Sequence, residues 1–204
     1  MNSAWLSTSL DTYEKHVALE TVGQAAAIRA AIVEAVAARQ PRRFLYLGCA
    51  GGNGLEALGK AEVVGVDLNA EYLAKAAERW GTEHEWICCD LNAGLPECGS
   101  FELAFGALVF EYVVELEGLL RRLEECVRGE LVVLLLGTRE GAPAVAESPY
   151  RQQLMAVGQE FRYLDVGAFV ELAERVGFRC RSMTEVALPA GKYFTSIRLE
   201  SQLS

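Results

Sequence analysis

The sequence predicts an α/β protein: a three-layer α/β/α sandwich on a mostly parallel sheet, closed by an antiparallel C-terminal strand. Three observations predict it. Five short apolar runs alternate with helix-period segments across residues 44–136, the pattern of a parallel sheet covered on both faces. The first run ends in a glycine-rich turn, Gly48-Cys-Ala-Gly-Gly-Asn-Gly54. Two alternating runs joined by Pro189-Ala-Gly191 close the chain, as a hairpin does.

The elements follow in order. Residues 21–39 put Ile28, Ile32 and Val36 on one helical stripe, and Pro41 follows the end. Strands are expected at 44–47, 62–67, 84–89, 101–109 and 130–136. A helix is expected directly after the glycine turn, and another over 70–80 with Asn69 as its N-cap. Residues 110–127 read as one helix with Leu116, Leu119, Leu120, Leu123 and Val127 on a single face. Residues 138–164 are polar and broken by proline, which reads as an insertion over the sheet. Asp165 caps a helix through 176, with Phe169, Leu172, Ala173 and Val176 inward and Gly177 as the stop. Strands at 179–188 and 192–200 form the hairpin. The N-terminal helices are expected to pack over the open edge of the site.

Composition narrows the function classes. A chain of 204 residues suits one domain. With 51% hydrophobic and 23% charged residues, it can bury a core, which excludes a disordered chain. A net charge of −9 argues against binding bulk nucleic acid or anionic lipid, because phosphates need Lys and Arg. The six cysteines include no CxxC, and there are two histidines, so no metal site is expected. Reduced thiols are the expectation, with Cys88 and Cys89 in a buried strand and inert. The N-terminus lacks a basic start followed by an apolar stretch. No apolar run approaches the ~18 residues of a membrane span. A cytoplasmic protein without membrane contacts is expected.

The chemistry concentrates at three consecutive strand tips. Glycines at 48–54 permit positive φ and let a ligand touch backbone. A helix start there would add free N–H groups and a positive dipole end. Asp67 falls at the tip of the second strand, where a carboxylate accepts hydrogen bonds from ribose hydroxyls. Asp90 follows the third strand, placed for an adenine amine. A dinucleotide-dependent oxidoreductase is the weaker alternative. Gly52-x-Gly54-x-x-Ala57 fits that fingerprint formally, but it starts several residues beyond the strand, and the closing hairpin does not belong to that fold.

These residues resemble a known family, the class I S-adenosylmethionine-dependent methyltransferases, over roughly residues 40–200. Tyr46-Leu-Gly48-Cys-Ala50-Gly-Gly52 is similar to the family's first motif, with Tyr46 in place of the usual acid and Ala50 in place of the middle glycine. Val64-Gly-Val-Asp67-Leu68 resembles the ribose motif, Cys89-Asp90-Leu91 the adenine motif, and the segment from Phe101 to Tyr112 the fourth-strand motif, with Glu102 where Asp is common. The opening Tyr13-Glu-Lys-His16 and Val22-Gly-Gln24 resemble a segment that covers the cofactor in a branch of small bacterial members. The resemblance implies a Rossmann-like seven-stranded sheet with S-adenosylmethionine as cofactor. It implies cofactor contacts from Tyr46, Gly48, Cys49, Ala50, Gly52, Asp67, Leu68, Asp90, Leu91 and Ala107. The single domain 1–204 then divides into a helical cap (1–40), a cofactor-binding core (41–137), the insertion (138–164) and a C-terminal helix and hairpin (165–204).

Methyl transfer from a sulfonium needs a positioned nucleophile more than a catalytic apparatus. Candidates near the acceptor are therefore few. His16 is the most useful chemically, and Glu111 follows the fourth strand, so both are candidate catalytic groups. Tyr13, Gln24, Tyr112, Tyr150 and Arg151 are candidate acceptor contacts, together with Arg162 and Tyr163. A small-molecule acceptor is the expectation, because the insertion is short and no recognition domain is added. A cofactor-binding protein without catalysis is the other reading left open by Tyr46 and Ala50. Sequence alone leaves the methylated atom and the oligomeric state open.

Overall fold

A computed structural model describes residues 3–139, 142, 143 and 145–202. Residues 140, 141 and 144 of the insertion, and the terminal residues 1, 2, 203 and 204, lie outside the described residues. The sheet has seven strands in the order β3-β2-β1-β4-β5-β7-β6. These are β1 (Arg43–Leu47), β2 (Glu62–Asp67), β3 (Glu85–Cys88), β4 (Phe101–Ala107), β5 (Val127–Thr138), β6 (Phe178–Leu188) and β7 (Lys192–Ser201). β1 to β5 pair in parallel. β7 runs antiparallel between β5 and β6. The order reverses at β1, between β2 and β4, and such a switch point opens a crevice at the carboxyl ends of the strands.

Strand alternation builds both faces of the core. Leu45 and Leu47 point to one face with Val64, Val66 and Ala104. There they meet Leu119, Leu120 and Leu123 of α4 (Leu116–Cys126), and Phe169 and Ala173 of α6 (Val166–Arg175). Phe44 and Tyr46 point to the other face with Phe105 and Leu134. That face is covered by Ile28, Ile32 and Ala35 of α2 (Gln24–Arg39), and by Leu73 of α3 (Ala70–Trp80). The caps follow the sequence. Asn69 Oδ1 accepts from the Glu71 N–H at 2.9 Å, and Asp165 Oδ1 accepts from the Ala168 N–H at 2.8 Å. Gly177, at φ +114°, ends α6.

Three expectations change. No α-helix follows the glycine turn; a single 3₁₀ turn, Leu55–Ala57, stands there. Gly54 at φ +90° and Gly59 at φ +60° bracket only a short stretch, too short to repay helix nucleation. The site therefore has no helix dipole at this loop. The helix expected over 110–127 also splits. A 3₁₀ turn covers Phe110–Tyr112, Val113 is extended, and α4 ends at Cys126. Val127 is the first residue of β5, buried by pairing with Phe101. Finally, β3 is an edge strand rather than a buried one. Cys88 is exposed and Cys89 half-buried, although burial still pushes the Cys89 thiol up. All six thiols are free.

The remaining elements lie over the carboxyl ends of the strands. A 3₁₀ turn, Ala4–Leu6, and α1 (Leu10–Ala18) form a cap, and α5 (Arg151–Glu160) lies beside it. Glu160 joins the two. Its Oε1 accepts from the Ala4 N–H at 2.7 Å and its Oε2 from the Ser3 hydroxyl at 2.8 Å. Among the described residues, no helix is long and apolar enough to cross a membrane.

Candidate active site

Four consecutive strand tips open into one cavity of about 380 Å³, within the roughly 300–1,000 Å³ usual for small-molecule sites. β1 delivers Gly48 and Ala50, β2 delivers Asp67 and Leu68, the loop after β3 delivers Asp90 and Leu91, and β4 delivers Ala107. Gly48 is at φ +61°, and a Cβ there would lie 2.8 Å from Val109 Cβ. Only glycine fits that close approach.

Asp67 organises the floor. Its Oδ2 accepts from the Ala50 N–H at 2.9 Å and its Oδ1 from the Asn69 N–H at 2.9 Å. Burial pushes its carboxyl up, while these backbone donors pull it back down. Each carboxylate oxygen keeps a second lone pair, available to a hydroxyl in the cavity. At the other end, Asp90 Oδ1 accepts from the backbone and side-chain amides of Asn92, at 2.9 and 3.1 Å. Asn92 Oδ1 in turn accepts from the Val114 N–H at 2.7 Å, so one residue ties the β3 loop to the segment after β4.

Strain collects at this site. Ala50 sits at φ +47° and Leu108 at φ +56°, left-handed conformations that cost a non-glycine residue about 1–2 kcal/mol. Both line the cavity, where such strain is commonly found. The replacement of the middle glycine by Ala50 is thus tolerated without a negative φ. Ala50→Gly is expected to raise stability by about 1 kcal/mol, read as a higher unfolding midpoint in urea.

The roof is aromatic. Trp5 stacks edge-on against Tyr13 at 5.2 Å and against Tyr112 at 5.6 Å. Asn69 Nδ2 donates to the Trp5 carbonyl at 2.9 Å, and the Tyr72 hydroxyl donates to the Thr8 carbonyl at 2.7 Å. Arg162 is bonded to the Val113 carbonyl. These contacts hold the cap over the cavity.

A second cavity, of about 60 Å³, lies behind the rings and shares Trp5, Tyr13, Leu108 and Tyr112 with the first. His16, Gln24 and Lys192 line it, each buried. Burial, with Lys192 nearby, pulls His16 down to about 4, and burial pulls Lys192 down to about 8. His16 is therefore neutral at pH 7, with Nδ1 2.8 Å from Ser148 Oγ.

Several candidate residues stand elsewhere. Tyr46 faces the core, because its place in β1 points it toward Phe44 and Phe105; its hydroxyl donates to the Asn53 carbonyl at 3.1 Å. Cys49 is buried beside Gly65, and Gly52 packs on Trp80. None of the three lines either cavity. Tyr46→Phe is accordingly expected to lower stability by about 1 kcal/mol and to leave cofactor affinity, measured by calorimetry, unchanged. Tyr150 and Arg151 sit at the start of α5, outside both cavities, with Arg151 paired to Glu147 at 2.7 Å. Glu111 is fully buried beneath the site. Its Oε1 accepts from the Leu136 N–H at 2.8 Å, and its Oε2 has no partner among the described residues. Burial pushes it up to about 7. Among the described residues, no cluster of His, Cys, Asp and Glu could hold a metal ion.

The comparisons agree with this geometry. Residues 45–133, the segment that carries all four strand tips, match the family model of the methyltransferase domain. That segment is under half of the chain, and over it the chain is similar to the methyltransferase domain family. No curated protein sequence matches it. Solved structures of the same fold do. Magnesium protoporphyrin IX methyltransferase from Synechocystis, with bound S-adenosylmethionine, aligns over 97% of this chain and 93% of its own, at 14% identity and a TM-score of 0.71. A TehB-like methyltransferase from Corynebacterium glutamicum aligns over 95% and 98%, at 20% identity and a TM-score of 0.65. The 1,6-didemethyltoxoflavin N1-methyltransferase of Burkholderia thailandensis, with bound 1,6-didemethyltoxoflavin and S-adenosylhomocysteine, aligns over 88% and 80%, at 18% identity and a TM-score of 0.66. At such identities the likeness establishes the fold alone, and function has to be argued from the site.

Trp5, Tyr72, Asn92 and Lys192 belong to the cavities without having been singled out in the sequence. Asn92 left a signal, since Asp90-x-Asn92 is a turn-forming pair. Lys192 left none, because only the hairpin brings it to Gln24.

Proposed function

We propose that this chain transfers a methyl group from S-adenosylmethionine to a small-molecule acceptor. The cofactor takes the larger cavity and the acceptor the smaller one. The single observation that supports this most is the delivery of Gly48, Asp67, Asp90 and Ala107 from four adjacent strand tips into one cavity. The residues present suit the cofactor. Asp67 retains lone pairs for the ribose hydroxyls, Asp90 Oδ2 is without a partner among the described residues and suits the adenine amine, and Gly48 lets the ligand approach backbone. When bound, S-adenosylmethionine supplies an electrophilic methyl group on a sulfonium.

The protein's part is then binding, orientation and exclusion of water. Asp67 and Asp90 fix the nucleoside at both ends. The Trp5, Tyr13 and Tyr112 rings present aromatic surface, which attracts a cation, and close the site against solvent. Placement of the acceptor in the adjoining cavity supplies the proximity on which such transfers depend, of the order of several kcal/mol. His16 orients the acceptor rather than deprotonating it, because an imidazole held down to about 4 is a weak base.

The test is turnover. The protein is incubated with S-adenosylmethionine carrying a labelled methyl group and a low-molecular-mass cell extract. S-Adenosylhomocysteine should form with label entering the small-molecule fraction. Label confined to protein or nucleic acid in whole extract would overturn the acceptor class. Cofactor binding without transfer in either fraction would leave a cofactor-binding protein without catalysis.

A further inference from the structure

The second cavity carries information about the acceptor itself. Its walls are mostly apolar, from Val17, Leu136, Leu154, Val157 and Phe161. Against them stand a few polar groups. Gln24 is 5% exposed, and its side-chain amide makes no hydrogen bond among the described residues. Its polar atoms are not among the sealed, unpartnered ones, so they are open to a ligand in the cavity. His16 is equally buried at 5% exposed. Ser148 Oγ accepts from the Tyr150 N–H at 3.1 Å and lies 2.8 Å from His16 Nδ1. We assign the Ser148 hydroxyl as the donor to Nδ1, which puts the proton of the neutral imidazole on Nε2. His16 is then a donor on its remaining nitrogen. The Tyr13 hydroxyl and the Lys192 ammonium line the same cavity. No Asp or Glu lines it among the described residues; Glu111 lies behind Leu136, bonded to its N–H.

From this arrangement we infer that the second cavity selects a small acceptor with an apolar body and an acidic oxygen head, held by Gln24 and His16. Donors surround the head and apolar side chains surround the body. A protonated amine would find no carboxylate among the described lining residues to offset its lost hydration. The inference rests on the reading that the larger cavity holds the cofactor.

The experiment uses the whole chain loaded with S-adenosylhomocysteine, whose own binding is measured first by calorimetry. Phenylacetate and benzylamine serve as matched probes, an acid and an amine on the same ring, with binding read by ligand-observed NMR titration. Phenylacetate should bind at least about tenfold more tightly than benzylamine. Gln24→Leu should weaken phenylacetate by about tenfold, as expected for a lost charge-assisted hydrogen bond, with S-adenosylhomocysteine affinity retained as the check on folding. Gln24→Glu keeps the side-chain shape and should reverse the preference toward benzylamine. Equal or tighter binding of benzylamine to the native chain would overturn the inference. So would phenylacetate affinity unchanged by Gln24→Leu, or failure of both probes on the loaded protein. Failure of S-adenosylhomocysteine itself to bind would overturn the cofactor reading first, and the inference with it.

Discussion

Asp67→Ala is expected to weaken S-adenosylhomocysteine binding by about 1–3 kcal/mol, the range for hydrogen bonds involving a charged partner. The loss has two sources. The carboxylate that would meet the ribose disappears, and the Ala50 and Asn69 N–H groups lose the acceptor that now sets the loop. Asp67→Asn separates them. It keeps an acceptor oxygen for one N–H, removes the charge and leaves the other N–H facing an amide NH2, so its affinity should fall between those of the native chain and the alanine variant. Calorimetric titration checks both. Native affinity in a folded Asp67→Ala protein would remove Asp67 from the cofactor site.

Glu111→Gln is expected to stabilise the protein by about 3 kcal/mol at pH 8 and by little at pH 4.5. The carboxyl is fully buried, one oxygen is unpartnered, and burial raises it from 4.5 to about 7. The native state therefore holds this proton more tightly than the unfolded chain does. Its stabilising contribution is complete below pH 4.5 and is lost as pH rises through 7, where a charge must be carried without solvent. Glutamine reproduces the neutral form and retains an acceptor for the Leu136 N–H. Urea unfolding at the two pH values measures the difference. A stability gain that failed to grow with pH would refute the burial argument, and loss of turnover alongside the gain would return Glu111 to the chemistry.

Legibility followed the range of the interactions. The strands, the Asn69 and Asp165 caps and the closing hairpin rest on local period and turn chemistry, and they were visible in the sequence. The glycine loop, Asp67 and Asp90 were visible because strand tips of a parallel sheet converge at a switch point. The missing helix after the glycine turn has its cause in Gly54 and Gly59, whose positive φ angles show only in the structure. The direction of Tyr46 follows from the alternation of β1, which the motif comparison overrode. The second cavity required tertiary structure. It joins His16 and Gln24 from the N-terminal helices and Lys192 from the hairpin, with Ser148 reaching His16 from behind, segments that no spacing rule connects.

The most direct measurement is thermal unfolding of the purified chain with S-adenosylmethionine, S-adenosylhomocysteine, NAD and NADP, each in large excess. A ligand at 100 times its dissociation constant adds about 2.7 kcal/mol, enough to raise the melting temperature visibly. A rise with the two sulfur ligands and none with the dinucleotides is the predicted result. No rise with either sulfur ligand, or a rise with NAD or NADP alone, would contradict the assignment of the larger cavity.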